Sequence, residues 1–405
     1  MGDIRFIHTA DLHLGSPFTG MKGLKKEQRQ FVKDSTFAAF DRLIDYALKE
    51  KPDFILIAGD IYDGEDRSIR AQHRFQQGME RLAEAAIPVV LGYGNHDHLS
   101  GQWTRFELPD NVHVFGPDVS RKTVKTPNGD AIITGFSYGE RHVKKAMIQD
   151  FPPAEQAEAF YIGMLHGSME GETAHAVYAP FTKQQLLEKN YDYWALGHIH
   201  MRQELHQNPF IVYPGNIQGR HKNEAGAKGF YDVSLSKSAA RVDFVPVSAI
   251  QFDRLSIGCR GIVHMNELIA ACKKRAEEQL MEHGPSIVEL TFTEMDAGAK
   301  ELIEEVEEKE LVETLQEALE ELDAFLWVSS VKMELGEETI EVSPLAEKII
   351  EVMDAWQLAD WKNVLKDLYR HPKGSRFLEA LNDHETADIQ STAIQRIRRN
   401  VRMEE

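Results

Sequence analysis

The chain has 405 residues, 42% of them hydrophobic and 27% charged, with a formal net charge of -19. That is enough for two or three ordinary globular domains, and the apolar runs stop short of the roughly 20 residues that a membrane span needs. Two cysteines, Cys259 and Cys272, exclude a disulfide scaffold and read as buried free thiols.

Taken along the chain, short dense apolar runs at 4–8, 54–58, 87–91, 131–134, 161–165 and 193–196 have strand length, and each ends in a Gly- or Asp-containing turn. Helix-length segments at 30–49 and 68–86 separate the first three, a β-α-β-α-β rhythm that predicts an α/β domain with covered sheets. Runs at 210–213, 230–234 and 240–247 read as antiparallel hairpins, so mixed sheets are expected. From about residue 251 the texture changes to a strand (252–257), a helix (265–282), a strand (286–293), one acidic helix (300–323) and a closing strand (325–333). Beyond Ser343-Pro344, two or three helices follow, with a break at Pro372-Lys373-Gly374. The stripe Ile349, Ile350, Met353, Trp356, Trp361, Val364, Leu365 and Leu368 runs through the first of them. The expected domains are 1–248, 249–340 and 341–405. The start MGDIRFIHTADLHLG carries no basic-then-apolar leader, so the expected compartment is the cytoplasm, with no membrane partner.

Five motifs fall at predicted strand ends: Asp11-Leu12-His13, Gly59-Asp60, Gly94-Asn95-His96-Asp97, His166-Gly167 and Gly197-His198-Ile199-His200. Strand carboxyl ends are where sites form in open α/β sheets, so motifs spread along the chain can converge. The i, i+2 spacing of Asp11 and His13, and of His198 and His200, suits extended backbone whose alternate side chains project together. Asp11, His13, Asp60, Asn95, His166, His198 and His200 are too many for one four-coordinate zinc. They suit two divalent metal ions about 3.5–4 Å apart that share a carboxylate. Asp60 is the expected bridge. Singly, each short motif is most often a turn, a cap or a surface pair; five in this order, each behind a strand, point to a dinuclear centre. The remaining histidines, such as His8 and His73, default to surface or supporting roles.

In this order the motifs resemble the calcineurin-like metallophosphoesterase superfamily. His8-Thr9-Ala10-Asp11-Leu12-His13-Leu14-Gly15 and Tyr213-Pro214-Gly215-Asn216 resemble its SbcD-type repair nucleases, and 213–221 resembles a bacterial YhaO-like exonuclease branch. The resemblance implies a sandwich of mixed β-sheets flanked by helices, a small α+β capping domain and C-terminal helices. It assigns Asp11, His13, Asp60 and His200 to one metal and Asp60, Asn95, His166 and His198 to the other. It also gives His96 the task of protonating the leaving oxygen, with Asp97 placed to orient it. Mn2+ is the implied metal, although the N/O donors alone also admit Fe or Zn. The implied function is a DNA exonuclease, with endonuclease activity open, that partners an SbcC-like coiled-coil ATPase and admits a homodimer. The 345–368 stripe would then dock that partner. A phosphomonoesterase or phosphoprotein phosphatase on the same metals is the alternative, and a weakly active metal-holding adaptor is a third reading. Many relatives carry histidine where this chain has Asp63.

A net charge of -19 argues against a polyanionic partner, but its distribution does not: residues 1–250 carry only -3 and residues 301–350 carry -13. Lys22, Lys25, Lys26 and Arg29, and Arg220, His221 and Lys222, are candidates to line a groove towards the metals. The run Arg396, Arg398, Arg399 and Arg402 is a candidate DNA or partner contact.

Overall fold

The computed structural model describes residues 2–18, 21, 23–64, 68–100, 106–155, 158–170, 178–334 and 344–369, with 386, 389–390 and 393–394. In chain order the elements begin with β1 (Ile4–Thr9), α1 (Lys26–Glu50), β2 (Phe54–Ala58), α2 (Ile69–Glu84), β3 (Val89–Gly92), β4 (Val112–Val114), β5 (Ser120–Thr126) and β6 (Gly129–Gly135). Then come β7 (Phe160–His166), α3 (Lys183–Leu187), β8 (Tyr193–Gly197), β9 (Gln203–Gln207), β10 (Phe210–Tyr213), β11 (Gly229–Leu235) and β12 (Ala240–Pro246). A second run holds β13 (Gln251–Gly258), α4 (Met265–His283), β14 (Ser286–Thr293), α5 (Ala297–Glu304), α6 (Glu308–Leu319) and β15 (Leu326–Met333), followed by α7 (Pro344–Asp354) and α8 (Leu358–Tyr369).

Two six-stranded mixed sheets face each other, ordered β12-β11-β1-β2-β3-β4 and β5-β6-β7-β8-β10-β9. Between them, Phe6, Phe54, Leu56 and Val90 meet Ile133, Ile162, Met164 and Tyr193. The other face of the first sheet buries Ile7, Ile55, Ile57 and Leu91 under Phe37, Phe40 and Leu43 of α1 and Phe75 and Met79 of α2. Strands covered on both faces must be apolar throughout, which is why β2 reads Phe-Ile-Leu-Ile-Ala without alternation. β1, β2 and β3 run parallel to one another, as do β7 and β8, and they deliver their C-terminal ends to one edge of the sandwich.

A separate three-stranded sheet, β13-β14-β15, is parallel throughout, with α4 and then α5 and α6 as its crossovers. Leu255, Leu290 and Val328 pack beneath Leu268, Leu311 and Leu315, and Cys259 and Cys272 are buried free thiols in that core. On its opposite face Phe252, Ile287 and Trp327 share an apolar cluster with Phe18, Leu24 and Val32. These two sets of sheets form one compact unit, 1–170 with 177–334, and 171–176 with 335–405 form another. In the second unit Ile350 and Trp361 are buried, the rings of Trp356 and Trp361 meet at 5.2 Å, and Ile349, Val352 and Val364 are exposed. The Pro372-Lys373-Gly374 break and the 396–402 arginine run lie outside the described residues, as do Lys22 and the side chain of Leu368.

Three elements differ from expectation. The acidic stretch is two helices rather than one, because Leu302 and Val306 are followed by a five-residue step to Leu311 that breaks the 3.6 rhythm. Glu307 is extended there and starts α6 afresh. β10 forms its antiparallel hairpin with the unforeseen β9 and also runs parallel to β8 in the second sheet, whereas β11 and β12 make the other expected hairpin, in the first sheet. β5 and β9 are polar edge strands whose mostly exposed or half-buried residues left no apolar signature.

A polar clamp closes the β1–β11 pairing. Arg5 Nε donates to Asp232 Oδ1 at 3.0 Å, its Nη2 to Glu50 at 3.0 Å, and the Tyr46 hydroxyl to Asp232 Oδ2 at 2.6 Å. Burial works against the Asp232 carboxylate, yet Arg5 and Tyr46 outweigh it and hold the group below its ordinary pKa. A depressed folded pKa contributes stability above the unfolded carboxylate value of about 4, lost as pH falls through the lower folded value. Asp232→Asn should therefore cost about 2 kcal/mol at neutral pH, less than a fully buried pair, because Arg5 keeps 35% of its side chain in water. The urea midpoints of variant and parent should draw together as the pH falls below about 4.

Candidate metal centre

The loops after β1, β2, β3, β7 and β8 bring the expected residues together. Asp11 N–H donates to Gly59 O at 3.1 Å, His13 N–H to Asp60 O at 3.0 Å and Leu14 N–H to Ile61 O at 2.8 Å, so the first two loops are laced to each other. Asp11, His13, Asp60 and His198 all have positive φ, at 51°, 42°, 50° and 101°. The extended-backbone reading of Asp11-x-His13 is thereby corrected: a left-handed turn, not strand alternation, aims the pair. Such conformations cost non-glycine residues free energy and survive only where surrounding bonds impose them.

Two groups of donors converge, Asp11 with His13 and His200, and Asp11 with Asp60 and His166, the ligand atoms in each lying within 4.8 Å of one another. Asp60 reaches both, its Oδ2 being 3.4 Å from His166 Nε2 and 3.8 Å from His13 Nε2. Asn95 Oδ1 lies 3.0 Å from His166 Nε2. His198 stands beside these groups, its N–H bonded to the Asp11 carboxylate and its ring 5.2 Å from that of His166. Gly94 is the closest point of the third loop, and a Cβ there would sit 2.3 Å from Asp60 Oδ1 and 2.7 Å from His166 Nε2.

Tautomers are fixed from behind. His166 Nδ1–H donates to Ala58 O at 2.9 Å, and His200 Nδ1–H to Glu224 Oε1 at 2.7 Å. Their Nε2 atoms therefore present lone pairs to the centre. His200 Nε2 faces His13 Nε2 at 3.0 Å, and His166 Nε2 faces the Asn95 and Asp60 oxygens. With the far nitrogens of His166 and His200 committed, the gaps to His13 and to the Asn95 and Asp60 oxygens must hold a proton or a cation, and the nitrogen and oxygen donors met here among the described residues suit divalent cations. Protons otherwise take that place. Against the cost of burial, the charges of Asp60 and Asp11 push His166 up to about 9, and burial, only partly offset by the His166 charge and joined by the Asp60 charge, pushes Asp11 up to about 8.

Among the residues that support the centre, Glu224 is announced by no motif. Buried Glu224 accepts from His200, from Asn216 Nδ2 at 2.7 Å and from Arg220 N–H at 2.8 Å. Asp63 takes Ser16 Oγ–H at 2.7 Å and lies 3.2 Å from Arg220 Nη1; despite burial, His13 and Arg220 hold its carboxyl below the usual carboxylate range. Asp97 is fully buried and binds Gly94 N–H and Ile61 N–H, both at 2.7 Å, so it braces two loops. The carboxylate facing the His96 ring is Asp63, Oδ1 to Nδ1 3.5 Å, where Asp97 was expected. His96 itself is partly exposed, with its N–H on Asp60 Oδ1 at 2.9 Å. Of the candidate groove cations, Arg220 is in the site, Lys25 pairs with Glu320 and Lys222 approaches Glu289. His8 is buried and neutral, its pKa lowered to about 3 by burial, between the Tyr193 hydroxyl and Leu196 O.

Because a proton on His166 must leave before a cation can enter, Mn2+ binding should release protons at pH 7, and affinity should rise with pH until about 9. Calorimetry in two buffers of different ionisation enthalpy measures this; a buffer-independent heat at pH 7 would contradict it.

The calcineurin-like phosphoesterase family matches residues 4–202. The chain is 35% identical over 399 residues to the metallophosphoesterase YhaO of Bacillus subtilis (strain 168), covering 96% of each. It is 27% identical over 262 residues to the DNA double-strand break repair protein Mre11 of Thermoplasma acidophilum, covering 60% of this chain and 66% of that one. To Mre11 of Methanocaldococcus jannaschii it is 26% identical over 276 residues, covering 64% and 69%. The likeness to YhaO runs through nearly the whole chain and the family match spans every strand end that carries the site except the last supporting loop: the chain belongs to the calcineurin-like metallophosphoesterases.

Proposed function

We propose that the chain is a two-metal phosphodiesterase that shortens DNA ends, working beside an SbcC-like coiled-coil ATPase. The observation that carries the DNA assignment is the likeness to two proteins named for double-strand break repair. The facing lone pairs of His13, His200 and His166 support the metals. In this reading Asp11, His13, Asp60 and His200 hold one cation, Asp60, Asn95, His166 and His198 hold the other, and Mn2+ fills both. The cations, when bound, supply a nucleophile at neutral pH and the charge that offsets a phosphate. His96, at the open side of the cluster, delivers a proton to the leaving oxygen. Arg220 keeps a fixed positive charge beside that path, suited to an anionic backbone. Residues 1–248 do the chemistry, 249–340 cap the site, and 341–405 dock the ATPase, with exposed Ile349, Val352 and Val364 as apolar contacts.

With Mn2+ present, single- and double-stranded DNA ends should be cleaved faster than p-nitrophenyl phosphate, with and without the ATPase. A monoester cleaved far faster would replace this reading by a phosphatase, and no cleavage of either by an adaptor. His96→Ala should lower DNA turnover by about 10²–10⁴-fold while elemental analysis still finds both metals. Asp60→Asn should empty or disorder both positions, and two tightly held ions in that variant would contradict a bridging carboxylate.

A further inference from the structure

We infer that Asp63 is a positioning residue that sets two imidazoles at once, His13 at the metal centre and His96 at its mouth. The inference deepens the phosphodiesterase reading, because it takes His96 as that reading's proton donor.

The geometry is a hub. Asp63 Oδ1 lies 3.6 Å from His13 Nδ1, 3.5 Å from His96 Nδ1 and 3.2 Å from Arg220 Nη1. Its Oδ2 accepts Ser16 Oγ–H at 2.7 Å. The side chain is 15% exposed, and the two rings it serves stand perpendicular, centroids 5.0 Å apart. Oδ1 is the common focus of both Nδ1 atoms and the guanidinium, the imidazoles at ion-pair range, while Oδ2 takes the hydroxyl. Ser16 and Arg220 come from different loops and fix the carboxylate from two sides, so it cannot rotate to favour one ring.

A carboxylate at Nδ1 selects the Nδ1–H tautomer and leaves Nε2 as the working atom. For His13, Nε2 is the atom that faces His200 and Asp60. For His96, the imidazolium that faces Asp63 through Nδ1–H gives its Nε2 proton to the leaving oxygen and is left as the Nδ1–H tautomer. One carboxylate thus presents the correct nitrogen of the metal-side ring and of the donor ring together. A histidine at this position could not do so: neutral, it offers a single acceptor nitrogen, and protonated, it offers none and adds positive charge beside Arg220.

The test separates this role from that of a third cation ligand, because His13, Asp63 and His96 also lie within 4.8 Å of one another. In ¹⁵N spectra of the Mg2+-loaded protein at alkaline pH, His96 should be Nδ1–H in the parent and in Asp63→Asn, whose amide oxygen still accepts. In Asp63→Ala it should shift to Nε2–H. The same Ala variant should need about tenfold more Mn2+ for half-occupancy, with unchanged stoichiometry at saturation, and lose about 10–100-fold in kcat with little change in KM. Asp63→Asn should recover part of that loss. A His96 ring that stays Nδ1–H in Asp63→Ala overturns the inference, as does the loss of one ion at saturating Mn2+. If His96→Ala retained full turnover, the donor reading would fall, while the tautomer result would still decide Asp63 by itself. Should the Ala variant not fold, the comparison of Asp63→Asn with Ser16→Ala reads the same ring.

Discussion

Two imidazole nitrogens face each other at 3.0 Å, and because the His200 proton is committed to Glu224 behind the ring, a proton or a cation must lie between them. The rest of the site follows from that requirement. Glu224 and the Ala58 carbonyl hold two rings in the tautomer that creates the conflict, and buried Asp11 and Asp60 add negative charge to it. A cluster of this kind stores affinity for cations, since the repulsion is already present in the folded chain and is relieved on binding. The raised values at His166 and Asp11 are the same affinity expressed through protons.

The backbone has to hold this arrangement against its own preferences. Four of the seven converging residues have positive φ, and strain of that kind costs on the order of 1–3 kcal/mol each. The compensation is visible in the bonds between loops: the Asp11, His13 and Leu14 amides reach the loop after β2, and Asp97 ties the third loop to Ile61. The large apolar layers between and outside the sheets anchor the strand ends from which these loops spring. Rigid strands and strained loops are complementary here, because the loops could not keep such torsions on a softer base.

Much of this was legible in the sequence, and the reason is chemical. Unbroken apolar runs at 54–58 and 193–196 can only be strands covered on both sides, and an Asp, Asn or His directly behind one has few structural uses. The strands and motifs that carry the centre were therefore readable. Glu224 and Asn216 were not read as supports, because they act through a loop whose path depends on β10 crossing back beside β8, a pairing that local pattern does not encode. Asp63 was visible only as a departure from relatives. Asp97 was read as orienting His96 because it adjoins it in sequence, whereas the turn points its oxygens at two backbone amides. The split of 300–323 was written in the five-residue step at Leu311, which overall acidity concealed.

The apolar cluster of Phe18, Leu24, Val32, Phe252, Ile287 and Trp327 has a mechanical meaning. Phe18 lies only a few residues beyond His13, and the same cluster grips all three strands of the small sheet. The segment that leaves the metal centre is thus a short tether whose far end is seated in that sheet. A shift of the small sheet would therefore draw on Phe18, and its hold there makes the small sheet part of the frame that positions the first metal-side imidazole.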